Sequence, residues 1–97
     1  VAIREFPRLP PEELSLPYYI RLSVDDDAGV LAEVASALGQ NRVSIEAVVQ
    51  TVQEAERSAT VVLLTHEARE TDVRAALALI AELPALREPP VVLRIVR

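Results

Sequence analysis

The chain has 97 residues, enough for one compact core and too few for two. It is 51% hydrophobic and 26% charged, and charges interrupt each apolar run well before spanning length, which excludes bulk disorder and a membrane helix. A net charge of -5 with 3% aromatics argues against nucleic acid, and zero cysteines exclude disulfides, thiolate metal sites and cysteine nucleophiles, fitting a cytoplasmic setting.

Residues 1–17 hold four of the seven prolines, Pro7, Pro10, Pro11 and Pro17, and read as a Pro-rich linker or strap. Val1 to Phe6 has the composition to pack as a short strand or helical turn. The segment lacks a basic region followed by a continuous apolar stretch and begins with Val1, as an excised fragment would. From Tyr18 to Asp25, Ile20, Leu22 and Val24 alternate with Tyr19, Arg21 and Ser23, the period of a half-buried strand. Asp25, Asp26 and Asp27 then offer capping carboxylates to a helix whose apolar stripe is Val30, Leu31, Val34, Ala35 and Leu38. Gly39 follows as a left-handed stop.

Val43 to about Gln53 is rich in β-branched residues, Glu54 to Arg57 breaks the pattern, and Ser58 to Thr65 resumes it, giving a β-hairpin. Glu70-Thr71-Asp72 caps a second helix, with Val73, Ala76, Leu77, Ile80 and Leu83 at helical spacing until Pro84. Pro89-Pro90 delimits a last strand over Val91 to Val96, with Arg94 opposite Leu93 and Ile95. The order βαββαβ predicts an α+β, ferredoxin-like sandwich, an antiparallel sheet with both helices on one face. The other face then carries either Val48 and Val52 or Val49 and Thr51, and either Val62 and Leu64 or Val61 and Leu63. Each register leaves apolar side chains uncovered, so a partner surface is expected.

The turn Asp25-Asp26-Asp27-Ala28-Gly29-Val30-Leu31 is the candidate ligand site. Backbone amides at a helix start suit a carboxylate, Gly29 lets a ligand approach, and the aspartates suit an ammonium, together matching an amino-acid zwitterion. The competing reading is structural: Asp26 or Asp27 caps the helix and Gly29 packs close to a strand. His66, the single histidine, has only Glu67 and Glu70 near it in sequence, which is no metal set, and no nucleophile or second base accompanies these carboxylates, so catalytic and metal residues are none. Two glycines cannot form a Gly-rich dinucleotide fingerprint.

The succession of strand, Asp-rich turn, Gly-Val-Leu, helix, Gly and strand over residues 18–53 resembles the ACT domain, a family that binds amino acids and controls biosynthetic enzymes. Tyr18-Tyr19-Ile20-Arg21-Leu22, Ser44-Ile45 with Val49-Gln50, and Thr65-His66-Glu67-Ala68 are most similar to the C-terminal regulatory ACT domain of homoserine dehydrogenase, over about Leu14 to Arg97. The resemblance implies that residues 18–97 form the regulatory domain, that its turn faces a second copy with ligand between them, and that the effector contacts come from Asp26, Asp27, Ala28, Gly29, Val30, Leu31, Asn41 and Ser44. It departs from the family's usual turn in Ala28, where Pro is usual, and in Ser44, where many amino-acid-binding members have Asn; Asn41 lies close by in sequence. It also implies partners: the same chain in a homodimer or higher oligomer, a catalytic domain that carries NAD(P) and converts homoserine to aspartate semialdehyde, and an effector such as threonine. A structural dimerisation module without ligand, or a free-standing ACT protein acting in trans, are the alternatives.

Overall fold

The computed structural model describes residues 15–96; the strap's residues 1–14, including Val1 to Phe6, and Arg97 lie outside them. Ser15–Leu16 (β1) pairs antiparallel with Ala68–Arg69 (β5), and the remaining strands form one antiparallel sheet. Its strands are Tyr18–Asp25 (β2), Ile45–Gln53 (β3), Ser58–Thr65 (β4) and Val91–Arg94 (β6), in the order β3-β4-β2-β6. Helices Val30–Gln40 (α1) and Glu70–Ala81 (α2) make the second layer. This is the expected ferredoxin-like βαββαβ arrangement.

Alternation along β2 sets the core. Tyr18, Ile20, Leu22 and Val24 are buried, as are Ala59, Val61 and Leu63 opposite them on β4. Against this face lie Val30, Val34, Ala37 and Leu38 of α1, and Val73, Ala76 and Ile80 of α2. At ~1.5 to 3 kcal/mol per large apolar side chain buried, this single cluster drives folding. In α1, Ala37 is buried where the expected stripe had Leu31 and Ala35, which are half-buried. The α2 stripe lies as expected, with Leu77 and Leu83 packed on the core's margin.

The register decides which side chains face away from the helices. Val49 pairs with Val62, and Ala47 with Leu64, so Val49, Thr51, Val62 and Leu64 share the open face with Tyr19 and Leu93. Val48 and Val52 point toward the helix side, but β3 is an edge strand beyond the helices' cover. Val48, Val49 and Val52 are therefore 43%, 61% and 44% exposed. A bulge at Glu46 interrupts the ladder between Ile45 and Ala47.

The helix ends differ from the sequence reading. Gly39 lies within α1, and the left-handed residue is Arg42 (φ 65), with the Arg42 amide donating to the Gly39 carbonyl and the Val43 amide to that of Leu38. Those paired bonds are a Schellman closure, three residues later than a stop at Gly39 would fall. No side chain caps either helix start: Gly29 stands at the N-cap of α1 and Arg69 at that of α2. Glu70 is instead buried, held by Arg74 at 2.7 Å and Arg94 at 3.5 Å, which ties α2 to β6. The β6 strand ends at Arg94, two residues before the expected limit.

Candidate functional site

The acidic turn connects the C-terminal end of β2 to α1, and its shape is fixed from both sides. The Asp25 amide donates to the Ala85 carbonyl (2.8 Å), the Asp26 amide to that of Arg57 (3.0 Å), and the Arg87 amide to that of Ser23 (2.8 Å). Arg87 then reaches across with its side chain. Its Nε donates to Asp25 Oδ1 at 2.7 Å, and a terminal nitrogen to the carbonyls of Glu56 and Arg57 at 3.0 and 3.4 Å. One of the three aspartates is thus committed to structure, whereas Asp26 and Asp27 are exposed and make no side-chain hydrogen bond or ion pair among the described residues.

Gly29 adopts φ 93, ψ -15, the left-handed region that an L side chain enters at a cost. A Cβ placed there would meet nothing within 4 Å, so the glycine is needed for backbone conformation and not for packing against a strand. That corrects the close-packing alternative, and the missing side-chain cap corrects the capping one. The Val30 amide donates to the Asp27 carbonyl at 3.3 Å and the Glu33 amide to that of Gly29 at 3.0 Å. The Leu31 and Ala32 amides have no protein acceptor among the described residues, leaving donors at the positive end of the α1 dipole.

A concavity of about 230 Å³ lies at this point, bounded by the turn from Val24 through Leu31 and by Gln50 and Val61 from β3 and β4. It gathers Asp26, Asp27, Ala28, Gly29, Val30 and Leu31. It does not gather Asn41 or Ser44, which lie past the far end of α1, ~16 Å along an 11-residue helix. Asn41 Nδ2 donates to the Ala37 carbonyl at 2.9 Å and closes its own helix, and the Ser44 carbonyl accepts the His66 amide at 2.9 Å. Within one chain the Asn41 side chain and the Ser44 carbonyl serve the helix-to-strand connection.

Gln50 and Arg87 are the residues that sequence reasoning missed. Gln50 belongs to the expected strand over Val43 to Gln53 and to the family resemblance, neither of which assigns it to the site, and its placement follows from the register of β3 on β4. No local pattern marks Arg87, which is 62 positions from the carboxylate it holds. His66, Glu67, Glu46 and Pro17 line a separate concavity at the opposite end of the sheet, and no group of three or more metal-ligating side chains is gathered among the described residues. No helix among them is long and apolar enough to cross a membrane.

The ACT domain model matches residues 18–85, which run from the start of β2 past the end of α2 and include the whole turn. The chain belongs to the ACT domain family. Curated relatives with the same ACT region are homoserine dehydrogenases: that of Methylobacillus glycogenes is 42% identical over 83 residues, and that of Neisseria gonorrhoeae 35% identical over 86. These alignments cover 84% and 89% of this chain and 20% of each relative. The chain therefore spans about one fifth of the length of the curated relatives it matches. The crystal structure of a homoserine dehydrogenase from Thiobacillus denitrificans superposes with a TM-score of 0.78 at 35% identity, over 89% of this chain and 19% of that one. The ACT domain of GTP pyrophosphokinase from Chlorobium tepidum shares the fold alone, with a TM-score of 0.63 at 12% identity over 84% of this chain and 99% of that domain.

Proposed function

We propose that this chain is the regulatory ACT module of a homoserine dehydrogenase, that it joins copies of itself, and that it passes the occupancy of an amino-acid effector such as threonine to the catalytic domain. The observation that carries the sensor role is the turn itself: a glycine in left-handed conformation, a free amide at Leu31, and two unpaired carboxylates at Asp26 and Asp27 around one concavity. The amide suits the carboxylate of an amino acid and the aspartates its ammonium. The matched relatives support the parent enzyme, which is named for oxidising homoserine.

Catalysis belongs to residues outside this chain. Gly29 and Gly39 are its two glycines and neither opens a dinucleotide-binding fingerprint, so NAD(P) is held by the catalytic domain of the parent and not by these residues. Conversion of homoserine to aspartate semialdehyde takes place there, and the ACT module acts on it only through a differential affinity of effector for two arrangements of the assembly.

The test is calorimetric titration of the chain with threonine and the other aspartate-family amino acids at millimolar concentration, with thermal melts alongside. Heat and a raised melting temperature are expected for at least one of them. No heat and no shift with any would leave assembly as the module's role. That second reading has its own support in the exposed valines of β3 and in the uncovered sheet face.

A further inference from the structure

On the open face of the sheet, Arg21 of β2 stands between two valines, with Val62 of β4 and Val91 of β6 as its cross-strand partners. The β6 ladder stops at that pair. Two residues further along β2, its neighbour is the Arg87 amide bonded to the Ser23 carbonyl, followed by a bridge between Val24 and Leu86. The intervening residues Glu88, Pro89 and Pro90 leave the sheet, because two consecutive prolines supply no ladder donors. Their departure opens a concavity of about 240 Å³ between β2, β4 and the 88–90 connection.

Four polar side chains line it: Arg21, the cross-strand pair Ser23 and Thr60, and Glu88. None takes part in a side-chain hydrogen bond or ion pair among the described residues, and Arg21 and Glu88 do not reach each other although both border the same space. A cation and an anion that border one concavity without pairing, beside two hydroxyl residues, match the charged ends of an α-amino acid in opposite order. The volume far exceeds the ~15 Å³ that admits one water, so a short side chain fits as well.

We propose that this concavity is a second amino-acid site, in which the Arg21 guanidinium takes the α-carboxylate, Glu88 takes the α-ammonium, and Ser23 and Thr60 meet a short polar side chain. It lies on the opposite face of β2 from the turn's concavity, since Arg21 and Ser23 alternate with the buried Leu22 and Val24. It is therefore independent of the sensor reading of the turn. The planar fork of Arg21 favours a carboxylate over a point anion.

The experiment is amide-resolved NMR of the full 97-residue chain titrated with L-threonine, glycine, 3-hydroxybutyrate and 1-amino-2-propanol. Saturable shifts are expected at Arg21, Ser23, Thr60 and Glu88 with the two zwitterions, and weaker ones with the analogues lacking the ammonium or the carboxylate. Arg21→Gln and Glu88→Gln, both at exposed positions, should each weaken the response about tenfold, while Gly29→Asn leaves it in place. Shifts confined to residues 26–31, shifts unchanged in Arg21→Gln, or an Arg21 face that changes only with protein concentration would overturn the proposal. The turn's own reading fails separately, if residues 26–31 do not respond.

Discussion

Gly29 concentrates the consequences of one backbone angle. Because its φ of 93 is the strained feature and the space around its missing Cβ is empty, Gly29→Ala should cost about 1 to 2 kcal/mol of folding free energy through conformation alone. Gly29→Asn should cost less, since Asn tolerates the left-handed region. Urea unfolding of the two variants checks the order, and an equal cost would point to a packing role instead. Tyr18 offers a pH test. Its phenol is pushed above the ordinary value of 10.0 first by burial and then by the nearby Glu70 carboxylate, with Arg94 and Arg74 opposing. Below pH 10 both folded and unfolded chains keep the proton and the group is neutral in the balance; above it the unfolded chain ionises first, so stability falls as pH rises toward the folded value. Tyr18→Phe should flatten the alkaline decline in urea midpoint, and an unchanged slope would exclude Tyr18 as its source.

At the scale of the element, α1 shows how a helix end is chosen by packing. Gly39 sits inside the helix with nothing within 4 Å of the place a methyl group would take, and Arg42 carries the left-handed closure. Gly39→Ala should therefore stabilise the fold by about 0.8 to 1 kcal/mol through helix propensity, and Arg42→Gly by a similar amount through relief at C′. Both are read as a raised melting temperature, and a loss in Gly39→Ala would mean that the glycine serves a close contact with another chain. The buried Thr65 hydroxyl has a comparable part at the other end of the sheet. It accepts the Tyr18 amide at 3.0 Å and donates to the His66 carbonyl at 2.7 Å, so the start of β2 and the end of β4 are joined by a satisfied polar bridge.

For the whole molecule, the inner strand β2 runs from beside the β1–β5 pair to the acidic turn, ~26 Å for its eight residues. It is one continuous strand between the two ends of the sheet, hydrogen-bonded on both sides to β4 and β6. The uncovered surface is concentrated at β3, where Val49 faces away from the helices and Val48 and Val52 lie beyond their cover. If copies join there, Val49→Asp should weaken self-association about tenfold while leaving the melting temperature of the monomer unchanged, because the side chain is already 61% exposed. Sedimentation velocity over a concentration series measures it. An unaltered association constant would move the interface elsewhere.

The sequence by itself determined the element order, the two helical stripes and the alternation of β2, because hydrophobic periodicity is a local property that Ile20, Leu22, Val24, Val73, Ala76 and Ile80 display without help from distant residues. It also marked the Gly29 turn, since a glycine after three aspartates before an apolar helix has a local meaning. Only the tertiary structure decided that Asp25 belongs to Arg87, that Gln50 joins the turn while Asn41 and Ser44 stay at the far end of α1, and that Val49 and not Val48 faces away from the helices. Each of those depends on strand register or on contacts between residues far apart in the chain, and a one-residue slip of register exchanges every side chain between faces.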